Sequence, residues 1–156
     1  MESLLQSLET LAPIAALRFS RWAYAVVNTG HVFAIALLVG GTVPLSLRLF
    51  GFWPDVARAG VARILALTSG TGLVLALATG SLLFATRASE YAANPAFQIK
   101  LVLVTAGVVS VIAANRRHGL AQEGTSPSAA RRAAVLSLIF WIGALVCGRL
   151  IAFVQG

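Results

Sequence analysis

The run WAYAVVNTGHVFAIALLVGGTVPLSLRL, Trp22 to Leu49, holds 28 residues, carries no charge until Arg48 and has one histidine, His31, inside it. A bilayer core about 30 Å thick is crossed by roughly 20 mainly apolar residues rising ~1.5 Å each. The run therefore reads as a membrane-spanning helix, long enough to cross with some tilt. A titratable side chain inside such a helix is costly unless it faces protein, water or a ligand. His31 is for that reason the first candidate for chemistry.

Outward from this run, three more apolar stretches predict spans: about Ala62 to Ala85, about Ala96 to Ala114 and about Ala133 to Val154. Between the first two lies FGFWPDVARAG, Phe50 to Gly60, a loop with Gly51, Pro54 and the interfacial aromatics Phe52 and Trp53. The connector TRASEYAANP, Thr86 to Pro95, ends on a proline suited to the first turn of a helix. A polar linker, Gly119 to Ser128, separates the last two spans. At the N-terminal end Leu4, Leu5, Leu8, Leu11 and Ala15 recur at helical spacing among Glu2, Gln6 and Glu9. That pattern predicts an interfacial amphipathic helix over about 2–17, bent near Pro13. The acidic start, without a basic n-region, argues against a secretory signal. The fold class follows: an all-α integral membrane four-helix bundle with an N-terminal interfacial amphipathic helix, one transmembrane domain over 1–156.

Composition agrees. Hydrophobic residues make up 58 % of the chain and charged residues 11 %, against about 25 % charged in soluble domains. The mean hydropathy is +0.87 and the sequence pI near 11.4. A net charge of +7 could suggest nucleic acid, but the 12 basic residues sit mainly where apolar runs end, as membrane anchoring requires, so nucleic-acid binding is excluded. A single cysteine, Cys147, rules out an internal disulfide, and a single methionine leaves few soft ligands for Cu(I).

The basic residues also predict orientation. Arg48, Arg58, Arg63, Arg116, Arg117, Arg131 and Arg132 fall on one side; Arg18, Arg21, Arg87, Lys100 and Arg149 fall on the other. The richer side should be cytoplasmic, in a bacterial inner membrane, with both termini outside.

Helix rise then gives depth. His31 lies ~6 Å and Arg149 ~8 Å from mid-span toward the outer surface, with Lys100 near the outer start of the third span. Three ionisable groups from three helices thus share one leaflet, and Glu90 is the only acid nearby. Such a surplus of positive charge calls for an anion among the helices. A b-type haem would meet the demands together: His31 as axial metal ligand, Arg149 and Lys100 for propionates, and the small-residue face Gly72, Ala76, Gly80 as a flat wall. Each residue also has a plainer reading. His31 could hydrogen-bond between helices, Lys100 could reach the headgroups, and the small face could serve close helix packing. Cys147 reads as a small core residue, His118 as a solvated surface group, and Trp22 and Tyr24 as interface-belt aromatics.

HVFAIALLVGG, His31 to Gly41, resembles the His-containing span of the CopD copper-resistance membrane family. FQIKLVLVTAGVVSVIAANRR, Phe97 to Arg117, resembles that family's Lys-containing span. The same His, the LRLF end at Leu47 to Phe50 and the later Lys are also similar to HemJ-type protoporphyrinogen oxidases. The whole chain, with GRLIAF from Gly148 to Phe153, looks like an uncharacterised family of short four-span bacterial membrane proteins related to both. The HemJ resemblance implies an essential pair at His31 and Lys100, with the histidine at the haem, and, if the chain is an enzyme, a haem-dependent oxidoreductase. The chain departs from that type in its short linker, its lack of a second intramembrane histidine and its Arg149. The CopD resemblance implies copper transport or homeostasis. The expectation drawn from residues and resemblance together is a haem b protein in electron transfer or quinone-linked oxidation, with membrane lipid around it and a quinone, a second copy or a membrane complex as partners. A copper protein and a non-catalytic accessory or assembly subunit are the alternatives.

Overall fold

The computed structural model describes residues 2–119 and 125–154, with the backbone alone at Glu2, Arg58, His118 and Val154. Most of the polar linker, and the His118 side chain read above as solvated, therefore lie outside the described residues. Among the described residues all regular structure is helical: α1 (Glu2–Glu9), α2 (Ala12–Phe19), α3 (Arg21–Phe50), α4 (Arg58–Thr86), α5 (Ala88–Ala93), α6 (Pro95–His118) and α7 (Pro127–Val154). Four of them, α3, α4, α6 and α7, are long and apolar enough to cross a membrane. This is a multi-pass membrane protein built as a four-helix bundle.

The helix ends follow local chemistry. Pro13 has no N–H to donate, and its ring would strike the carbonyl of Glu9, so the amphipathic segment stops there and restarts with the proline in the first turn of α2. The single helix expected over 2–17 is thus two. Ser20 caps α3 by accepting from the Ala23 N–H at 3.3 Å. Asn94 caps α6 by accepting from Ala96 N–H at 2.9 Å and Phe97 N–H at 3.2 Å. Gly51, at φ 108°, closes α3 in the left-handed conformation that glycine alone adopts without strain. Phe19 and Trp22 stand 84 % and 82 % exposed at one end of the bundle, Phe52 and Trp53 at the other, as two aromatic belts flanking the apolar length.

Around the bundle the order is α4, α3, α7, α6. Neighbours in that order touch, whereas among the described residues no Cα atoms of α4 and α6 approach within 8 Å. The square is therefore open on one side. Between α3 and α4 the approach is closest: a Cβ on Gly72 would sit 2.8 Å from the Ala34 carbonyl oxygen, and one on Gly41 would sit 2.7 Å from that of Leu65. Small residues let two backbones approach in a medium with no hydrophobic drive between helices. On the other pair, Gly107 faces the Trp141 ring and Gly143 faces Leu103.

At the end where α3 starts and α7 stops, α1, α2 and α5 cover the bundle. Glu9 binds them together. Its Oε1 accepts from the Ser89 N–H at 2.8 Å and from the Ser89 hydroxyl at 2.9 Å, while its Oε2 pairs with Arg18 at 3.4 Å. A carboxylate is thereby placed at the start of α5, whose amides have no helical acceptor of their own. Phe84 and Phe97 stack at 5.2 Å with Tyr91 beside both, which fixes α5 against the ends of α4 and α6. The connector Thr86 to Pro95 is in large part this short helix, and Pro95 opens α6 as its place in the sequence predicts.

Candidate functional site

His31 lies half-buried in the seam between α3 and α4. Its Nδ1 stands 2.9 Å from Thr79 Oγ1. The Thr79 hydroxyl has one proton, and that proton is donated to the Leu75 carbonyl at 2.6 Å. Thr79 must therefore accept from the imidazole, which fixes the neutral ring as the Nδ1–H tautomer and leaves the Nε2 lone pair outward from this pair. Gly80 makes the ring's space, since a Cβ there would come within 3.0 Å of Cε1. A histidine oriented through one ring nitrogen is the arrangement that metal-ligating histidines use.

Lys100, on α6, is also half-buried. Its stem lies along α7, where a Cβ on Gly148 would meet Nζ at 3.5 Å. Two of the three groups expected to converge therefore face the interior of the same half of the bundle.

Arg149 does not join them. It is exposed, with its guanidinium carbon 5.2 Å from the centre of the exposed Phe153 ring on the outside of α7. One residue of helix is a turn of ~100°, so with Gly148 directed at Lys100 its neighbour points away. The expected propionate partner is corrected to an outward, ring-stacked arginine.

The Gly72, Ala76, Gly80 face is likewise accounted for. The backbone of α3 from Ala34 to Leu38 lies against Gly72, and the His31 ring lies against Gly80. Of the two uses foreseen for that face, helix approach is the one present, and a flat ligand would have to sit on another side of His31. Cys147 is half-buried on α7. Among the described residues no group of three or more His, Cys, Asp or Glu could hold a metal ion.

A sizeable cavity lies away from His31. It holds about 540 Å³ between all four long helices, in the half of the bundle away from α1, and faces the gap between α4 and α6. Its walls are largely apolar, with Thr42, Ser69, Ser110, Asn115 and Ser137 as polar points and Trp141, 4 % exposed, as one face. Thr42 and Ser69 are partners at 3.4 Å, and Ser69 also donates to the Leu65 carbonyl at 2.8 Å. Scattered serines and threonines in apolar runs give little sequence signal, and the gap that unites them depends on helix order.

Comparisons with protein-family models, with characterised proteins and with solved structures give no match. The resemblance to CopD and HemJ proteins rests on its quoted segments alone.

A second hollow, about 440 Å³, opens at the covered end and is lined by Arg18, Arg21, Tyr24, Thr86, Arg87 and Tyr91. In the sequence these arginines signal only orientation and Tyr24 only an interfacial belt. Burial pushes the Tyr91 phenol above its ordinary value, with Tyr24 beside it adding to the rise, so the hydroxyl remains a proton donor at neutral pH.

Proposed function

We propose that this multi-pass membrane protein holds a b-type haem through His31 and serves electron transfer or quinone-linked oxidation. The observation that carries the reading is the Leu75–Thr79–His31 chain, which orients the imidazole through Nδ1 and keeps Nε2 out of that pair, where it would ligate the iron. The donor residues fit the group in part. His31 suits the axial position, and Lys100 suits a propionate or the second axial position. Arg149 does not fit, and the Gly72 face is taken by α3. When bound, a haem would supply one-electron chemistry at a potential set by axial ligand, burial and nearby charge.

The chain's own residues do the rest. Thr79 holds the imidazole in one tautomer, Gly80 leaves room for the ring, and Lys100 adds a positive charge on the same side. The 540 Å³ cavity supports the quinone-linked form of the proposal, because an apolar ring with two carbonyls suits walls that are mainly aliphatic with a few hydroxyls. The surplus of Arg at the opposite end supports an orientation with α1, α2 and α5 on the outer side of a bacterial inner membrane. A copper role finds less support, since the described residues hold no metal-ligating cluster.

The deciding experiment is an absorption spectrum of detergent-purified protein, oxidised and then dithionite-reduced, after supplementation with hemin. A Soret band lost in His31→Ala and kept in Arg149→Ala is the expected result. A wild-type chain with no Soret shift, or one shared equally by His31→Ala, overturns the proposal and favours an accessory subunit.

A further inference from the structure

The hollow at the covered end brings three guanidinium groups together from three elements: Arg18 in α2, Arg21 at the start of α3 and Arg87 between α4 and α5. Two acids are near, and both are engaged. Glu9 gives one oxygen wholly to Ser89 and the other to Arg18. Glu90 pairs with Arg87 at 3.1 Å on the exposed side. Arg21 has no acid within salt-bridge distance among the described residues. Three positive charges against two negative leave the hollow net positive, and its remaining wall is phenol and hydroxyl.

We propose that this hollow is a binding site for a phosphate-bearing anion, held by Arg18, Arg21 and Arg87 with Tyr24 and Tyr91 as further donors. Guanidinium forks match the oxygens of a phosphate in pairs, which an isolated ammonium or hydroxyl does not do. The setting is rigid: Glu9 fixes α5 from α1, and the Phe84, Tyr91, Phe97 stack fixes the wall that carries Tyr91. Two sources could supply the chemistry. Exposed Phe19 and Trp22 put the hollow at headgroup depth, which suits a lipid phosphate, and its opening toward water suits a soluble phosphate ester. The site is separate from His31, which lies ten residues, or ~15 Å of helix, beyond Arg21.

The test uses the delipidated full chain in detergent. One arm titrates inorganic phosphate against chloride of equal ionic strength by calorimetry. The other follows retention of phosphatidylglycerol against phosphatidylcholine by native mass spectrometry. Saturable binding of one anion per chain is expected in at least one arm, and the arm that responds names the source. Arg21→Gln should weaken it about tenfold or more, as loss of a charge-assisted pair implies. Arg21→Lys should fall between the two, and Arg131→Gln and His31→Ala should leave it unchanged. Should Arg21→Gln fail to fold by circular dichroism, Arg21→Lys and Tyr24→Phe decide the matter. No saturable binding in either arm, or equal loss in Arg21→Gln and Arg131→Gln, overturns the site. Because His31→Ala spares it, its failure is distinct from failure of the haem reading.

Discussion

His31 and Thr79 meet across the closest helix seam of the protein, Nδ1 to Oγ1 at 2.9 Å, with the threonine proton already given to Leu75. The direction of that hydrogen bond follows from counting protons. Thr79→Val keeps the shape and removes the acceptor. The imidazole then loses its reason to hold the proton on Nδ1, and nitrogen-15 spectra of labelled histidine should show the tautomer balance move. Haem affinity, where the proposed function holds, should fall about 10–100-fold, as for other lost orienting partners of ligating histidines. An unchanged nitrogen spectrum would contradict the assigned direction.

The glycines of α3 and α4 should rank by what their added methyl would meet. At Gly72 it would strike the α3 backbone, 2.8 Å from the Ala34 oxygen, and nothing there can step aside. Gly72→Ala should cost about 1–3 kcal/mol by overpacking. At Gly80 the neighbour is an imidazole edge at 3.0 Å, which can tilt by a few tenths of an ångström, so the cost should be smaller but His31 should move. Gly40 and Gly70 have nothing within 4 Å. Alanine at either should be neutral or stabilising by up to about 1 kcal/mol, through helix propensity. Unfolding in mixed detergent and SDS measures the order, and Gly40→Ala costing as much as Gly72→Ala would refute it.

The spans, the bundle and the aromatic belts were legible because each rests on local apolar length and on where it stops. His31 as the buried polar group was legible on the same ground. The side of a helix that faces the protein was harder to read. Depth alone grouped Arg149 with Lys100 and His31, yet a step of one residue from Gly148 turns it outward. The helix α5 was hidden in TRASEYAANP because the group that satisfies its first turn, Glu9, lies 80 residues away in sequence. The larger hollow depends on helix order and the second on arginines gathered from separate elements, neither of which spacing along the chain records.

Ser89 hydrogen bonds, first from its N–H, hold the Glu9 carboxyl below its ordinary value. A depressed carboxylate contributes stability that is present above its unfolded value and is lost as pH falls through the folded one. The docking of α1 on α5 should thus be intact at neutral pH and loosen below the usual carboxylate range, about pH 4. Hydrogen exchange at the Ser89 amide should report it: its protection relative to an unstructured peptide at the same pH should be high at neutral pH and fall in acid. Glu9→Ala, which removes the acceptor, should show little protection at both, while Glu90→Gln keeps the wild-type profile.

Trp141 offers a direct reading of the large cavity. It forms one wall, is 4 % exposed and packs against Gly107, where an added Cβ would come within 3.0 Å of the ring. The other two tryptophans, Trp22 and Trp53, are exposed at opposite ends of the bundle, so replacing both with Phe leaves Trp141 as the sole indole with little disturbance. Quinones quench indole emission at short range. If the cavity takes a quinone ring, a short-chain ubiquinone analogue should quench this variant saturably. Ser137→Leu, which places an aliphatic side chain on the cavity wall, should weaken that quenching about tenfold, the loss expected from an interaction worth ~1.4 kcal/mol. Leu136→Ala, outside the lining set and exposed, should leave the curve in place. Quenching that rises linearly with quinone and is the same in Ser137→Leu would mean that the analogue meets Trp141 from the bulk detergent, and the quinone-linked reading would lose its support.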